Sequence, residues 1–220
     1  MTKFRLSVAV LLFSGFSAFS GTRIDIVNAP CKSISEALAY TLQQNNKPFA
    51  VGASGEDAFD NSGLITYTFK KLGIDVPSEM ADLAKTGKKI TKIAKMQAGD
   101  IVFFANPQNP KEIIKMGLVQ SVAGDGMSFT FFYADQKQGA VRIVHSTENE
   151  FNGHFKQANR LVTDSDIIAV RGEHQKTIEN IKKAEEKLLK AQQALKEAEN
   201  NLSDLKTAFE RRNAENFLVK

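Results

Sequence analysis

Residues 59–64 read Phe59-Asp60-Asn61-Ser62-Gly63-Leu64, and they join a turn-rich stretch to an amphipathic helix. Upstream, Asn45 to Asp60 carries Asn45, Asn46, Pro48, Gly52 and Gly55, residues that favour turns over regular elements. Downstream, Leu64, Ile65, Phe69 and Leu72 recur at helical spacing and Gly73 follows, which predicts a helix from about Asn61 to Leu72. Ser62 is placed to bond a backbone group at the start of that helix. Asn61 brings a carboxamide, which is neutral at every relevant pH and is no nucleophile.

Further out, the period of the apolar residues changes once. Ile34, Ala37, Leu38 and Leu42 predict a helix over Ser33 to Gln44, with Ser33 as N-cap and Glu36 three residues on. Pro77-Ser78 predicts a short third helix through about Lys85. From Gly99 the pattern suits strands: Ile101 to Phe104, Met116 to Val122, Ser128 to Ala134 and Ala140 to Val144, then Asn159 to Thr163 and Asp166 to Val170. Ala123-Gly124-Asp125-Gly126 predicts a turn. Helices first and an antiparallel sheet second predict an α+β fold.

A different kind of sequence begins near His174. From there to about Asn216 there is neither proline nor glycine, and the charge is dense and mixed. Ile181, Leu188, Leu195, Leu202 and Phe209 fill one position of a seven-residue repeat, and Ala184, Ala191, Ala198 and Leu205 fill a second. Such a repeat predicts a long C-terminal helix that pairs with another, either a second copy or a helical partner, parallel or antiparallel. The expected division is a leader over residues 1–20, a globular domain over 21–172 and a coiled-coil helix over 173–220.

The leader expectation rests on Lys3 and Arg5, the apolar run Leu6 to Phe13, and the small residues of Ala18-Phe19-Ser20. The run is too short for the roughly 20 residues that span a bilayer. It therefore predicts an exported protein, periplasmic or extracellular, with no transmembrane segment after cleavage. A hydrophobic content of 42% supports a core of ordinary size. The formal charge of +4 falls to +2 once Lys3 and Arg5 are set aside, too mild for a nucleic-acid partner. Cys31 is the single cysteine, so no internal disulfide can form. His145, His154 and His174 read as surface histidines. No His/Asp/Glu grouping has metal-ligand spacing, and nothing suggests a cofactor.

Several blocks in fixed order carry a family resemblance: Pro48-Phe49-Ala50-Val51-Gly52, then residues 59–64, Phe69 to Ile74, and Ala98-Gly99-Asp100-Ile101-Val102-Phe103-Phe104. Lys115-Met116-Gly117-Leu118, Phe132-Tyr133-Ala134, Gly139 to Ile143, and finally Phe155, Ala158 and Arg160 follow. Together, over about residues 34–163, they resemble the NlpC-type cell-wall cysteine peptidases. The resemblance implies a papain-like domain in which a cysteine at a helix N-terminus attacks a peptide of the cell-wall stem. A histidine takes its proton, and a third polar residue orients that histidine. The matching positions here are Asn61, Lys115 and Tyr133, and the substrate-gripping tyrosine is Phe49.

None of those positions keeps the residue the resemblance calls for. Loss of the nucleophile alone costs orders of magnitude in rate. The expectation is therefore a catalytically degenerate member, with no catalytic residues and with Phe49, Asn61, Ser62, Lys115 and Tyr133 as candidate ligand contacts. An aromatic wall, an amide and one positive charge would suit a carboxylate-bearing cell-wall peptide; equally, Asn61, Lys115 and Tyr133 would serve as structural filler of the cleft. The alternatives are an atypical peptidoglycan endopeptidase with relocated groups, such as Ser62 served by a Lys115 of lowered pKa, or a structural coiled coil with a passive cap.

Overall fold

The computed structural model describes residue 26 and residues 28–218, with side chains through 212. The expected leader lies outside the described residues. The elements are α1 (Ile34–Leu42), β1 (Ser54–Gly55), β2 (Ala58–Phe59), α2 (Asn61–Lys71), α3 (Met80–Leu83), β3 (Lys88–Ile90), β4 (Ile101–Asn106), β5 (Asn109–Val122), β6 (Phe129–Asp135), β7 (Ala140–His145), β8 (Phe155–Arg160) and α4 (Asp164–Leu218). The architecture is α+β. Two compact units part between Val170 and Arg171.

In the first unit, six strands form one antiparallel sheet in the order β3-β8-β4-β5-β6-β7. Side chains alternate across it as the period of two requires. On one face Ile101, Phe103, Met116, Leu118, Phe132, Ala134 and Val141 join a core with Leu38 of α1 and Leu64, Ile65 and Phe69 of α2. On the other face Val102, Phe104, Val119, Phe129, Phe131 and Tyr133 pack with Ile90, Met96 and Phe151. Among the described residues no α-helix contributes to this second cluster; Ile93 of a short 3-10 turn packs against it. Phe151, from the 146–153 loop, closes part of it: its ring lies 4.9 Å from Phe104, 5.0 Å from Phe131 and 5.2 Å from Tyr133.

Two side-chain bonds position the helices. Ser33 caps α1 by accepting from the Glu36 N–H at 3.2 Å. The buried hydroxyls of Thr41 and Thr68 lie 2.6 Å apart and tie α1 to α2. The end of the sheet is fixed by Arg160, whose guanidinium grips buried Asp100 at 2.7 and 2.9 Å.

The chain departs from the sequence reading at several elements. Asp166–Val170 is not a strand; it lies in the first turns of α4. Thr163 and Asp166 form a reciprocal capping box there. The Thr163 hydroxyl accepts from the Asp166 N–H at 3.2 Å, and the Asp166 carboxylate accepts from the Thr163 N–H at 2.8 Å. The long helix thus starts ten residues before His174, and Gly172 lies inside it. The last strand is Phe155–Arg160 rather than Asn159 to Thr163. The third helix shrinks to Met80–Leu83, and β5 starts at Asn109 rather than Met116. The short β1–β2 hairpin and β3 carry too few apolar residues to have been predicted. Cys31 is fully buried.

Candidate functional site

The first turn of α2 is anchored by Asp60. One carboxylate oxygen accepts from the Gly63 N–H at 2.7 Å and from the Ser62 hydroxyl at 2.8 Å, and the other accepts from the Gly52 N–H at 2.7 Å. This N-cap clamps the preceding loop to the helix. Ser62 therefore bonds the cap's carboxylate, not a backbone group. Gly63 is required by the same closeness, because a Cβ there would collide with the Ala53 carbonyl.

The cap presents Asn61 to the sheet. Its Nδ2 donates to the Ala134 carbonyl at 3.1 Å, and its Oδ1 accepts from the Ala134 N–H at 2.8 Å. The reason is visible in the register. The β5–β6 ladder ends with Leu118 opposite Phe132, so Ala134 has no partner on β5. On its other side Val141, opposite Ala134, exchanges its backbone bonds with Asn46 and Lys47. The carboxamide, shaped like a peptide group, continues the ladder where β5 has left it.

Lys115 and Tyr133 meet around the 146–153 loop. The Lys115 ammonium pairs with the Glu150 carboxylate and lies 5.0 Å from the centre of the Phe151 ring. Lys137 reaches the same carboxylate at 3.1 Å. These two lysines hold the Glu150 carboxyl below its ordinary range, the Lys115 hydrogen bond contributing most. Tyr133 is buried, and its ring meets Phe151 edge-on. Burial, then the charges of Asp135 and Glu150, push its phenol up to about 12, although the neighbouring Asn61 side chain pulls the other way. Next along β6, Asp135 accepts from the Arg142 guanidinium at 2.7 Å and from the Lys137 and Gln138 N–H groups. Burial raises its carboxyl, but those donors outweigh it and leave the pKa lowered.

The structure thus brings Asn61, Lys115 and Tyr133 into one network. Phe49 stands apart from that network: it is half-buried against the helical core, its N–H donating to the Gly139 carbonyl at 2.8 Å. Ser62 and Lys115 are each bonded to a different carboxylate, so they do not form a nucleophile–base pair. His145 is exposed, and His154 and His174 are partly exposed. Sequence reasoning missed Asp60, Glu150 and Phe151. Asp60 carried a usable signal, an acidic residue three before Gly63 at a helix start; Phe151 is an aromatic residue in a polar loop. Among the described residues, no group of three His, Cys, Asp or Glu is placed to hold a metal ion.

The NlpC/P60 family profile matches residues 46–160. The chain belongs to the NlpC/P60 family. Over 115 residues it is 35% identical to the bifunctional muramidase/DL-endopeptidase CwlT of Bacillus subtilis, covering 50% of this chain and 32% of that one. Over 131 residues it is 29% identical to the γ-DL-glutamyl hydrolase of the same organism, covering 55% and 31%. The chain thus spans about a third of the length of these curated relatives. The crystal structure of an NlpC/P60 family protein from Bacillus cereus superimposes with a TM-score of 0.50 at 19% identity, covering 61% of this chain and 41% of that one. That likeness concerns the fold.

In the second unit, the repeat positions lie on the surface of α4. Leu188, Leu195, Leu202, Leu205 and Phe209 are all more than half exposed, and Ile181, Ala184, Ala191 and Ala198 are exposed as well. No helix of the described residues is long and apolar enough to cross a membrane.

Proposed function

We propose that this NlpC/P60 protein is a non-catalytic binding or scaffolding module, exported to the periplasm or the medium, that assembles through its C-terminal helix. The observation that carries the reading is the state of Asn61. It stands where the family resemblance requires a nucleophile, and both ends of its amide are spent on the Ala134 backbone. A carboxamide committed in this way is a structural tie, with no lone pair of thiolate strength to deliver. Lys115, at the position of the base, is equally committed to Glu150.

The ligand suited to this site is a cell-wall peptide bearing a carboxylate, in keeping with the DL-endopeptidase and γ-DL-glutamyl hydrolase named among the relatives. Phe49, Ser62, Lys115 and Tyr133 are the proposed contacts, with Asn61 holding the β6 backbone beside them. A peptide carboxylate would compete with Glu150 for Lys115 and Lys137. The division into a leader over 1–20, a domain over 21–172 and an assembly helix over 173–220 belongs to the same proposal.

The test is titration of purified full-length protein with a soluble stem peptide, followed by calorimetry, with released amino groups assayed in parallel. Binding without release supports the reading, and Glu150→Gln should tighten it by freeing the lysines. Release that is lost on changing Ser62 or Lys115 would establish an atypical endopeptidase instead.

A further inference from the structure

The apolar seam of α4 has two unlike edges, and their sizes decide what can lie against them. One edge carries Leu195, Leu202 and Phe209; the other carries Ala184, Ala191 and Ala198. In a parallel pair each seam position faces its own copy. Leucine layers would then hold the helices apart while alanine layers between them left voids. A void left where alanine replaces leucine in a packed core is destabilising. In an antiparallel pair Leu195, Leu202 and Phe209 can each face an alanine, and of the leucines only Leu188 meets another, Leu205.

We propose that the partner of this helix is a second copy of the chain, running antiparallel about a two-fold axis close to Lys196. This deepens the assembly reading given above and rests on it. The register follows from the charges that flank the seam. One alignment sets Leu195 against the partner's Ala198, Leu202 against the partner's Ala191 and Phe209 against the partner's Ala184. It places Glu185 beside the partner's Lys206, and by symmetry the pair occurs twice. Sliding by one repeat, so that Leu195 faces the partner's Ala191, would instead set Glu185 beside the partner's Glu199, also twice. Like charges in that position oppose association. The parallel alignment gives neither residue an opposite charge, since the flanking partners would be Asn180 and Asn201. Volume and charge therefore select the same arrangement, and the complementarity is of the chain with itself.

Sedimentation equilibrium of the full chain and its charge variants tests the proposal, with circular dichroism to verify that each variant keeps its helix. The wild type should be a dimer. Glu185→Lys should raise the dimer dissociation constant about tenfold, the sum of four modest exposed-pair effects. Adding Lys206→Glu should restore most of the loss. Ala184→Cys should not cross-link to itself under mild oxidation, because Ala184 faces the partner's Phe209. Self-cross-linking of Ala184→Cys, or a dimer indifferent to both charge changes, would overturn the antiparallel register while leaving self-association intact. A monomeric wild type would overturn self-association altogether and leave the reading of the Asn61 site untouched.

Discussion

Asn61 completes the sheet edge at Ala134: its side-chain amide exchanges hydrogen bonds of 2.8 and 3.1 Å with that residue's backbone. The side chain at the head of α2 is thus a structural bond between helix and sheet. Asn61→Ala would leave the Ala134 N–H and carbonyl without that partner in a half-buried place. The expected cost is about 1–3 kcal/mol of stability, read as a lower urea midpoint at unchanged slope. Asn61→Cys should cost a similar amount, since a thiol cannot bridge a donor and an acceptor together.

Gly63→Ala should be among the most damaging changes in the domain. The added Cβ meets the backbone carbonyl of Ala53, which the Asp60 N–H holds at 2.8 Å. Backbone cannot yield as a flexible side chain would. A loss of more than about 3 kcal/mol is expected, measurable as a melting temperature well below that of the wild type.

Phe151 supports the network from beneath. It is almost fully buried although it comes from a loop, and it touches Lys115, Tyr133, Phe131 and Phe104. Phe151→Ala should cost about 3–5 kcal/mol. Hydrogen exchange should show the 146–153 loop opening more than α1 or α2.

Stability should decline at both ends of the pH scale, for opposite reasons. Asp135 and Glu150 have carboxyls lowered from 3.8 and 4.5. Their contribution is present above the ordinary carboxylate range and is lost as pH falls through and below it. Asp135→Asn and Glu150→Gln should therefore flatten the acid limb of a melting-temperature profile. Tyr133 is raised from 10.0 to about 12. The native state holds its proton while the unfolded chain releases it, so this contribution is lost as pH climbs from 10 to about 12. Tyr133→Phe should flatten the alkaline limb.

Much of this fold was readable from local pattern. The apolar spacing of Leu64, Ile65 and Phe69 marked α2 because one face of that helix is buried, and Ile101 to Phe104 marked a strand covered on both sides. Asp166–Val170 misled because Ile167-Ile168-Ala169-Val170 is apolar and three of its four residues are β-branched. Its helix is set by the Thr163–Asp166 capping box, which outweighs strand propensity. The sequence singled out Asn61 and Lys115 because they differ from the residues the family resemblance implies. The site was not legible where the chemistry depends on a distant loop. Glu150 is 35 residues from Lys115, and no local pattern announces that pairing. Nor could the early end of the β5–β6 ladder, which explains Asn61, be read without the register.

The claim on which the rest depends is the proposal that the Asn61 site does not cut peptides. Incubation of the pure full-length protein with a γ-D-glutamyl-linked stem peptide, followed by assay of freed amino groups, tests it most directly. The expected result is release no faster than in buffer, unchanged by Asn61→Ala or Lys115→Ala. Sustained turnover that either substitution abolishes would contradict the account.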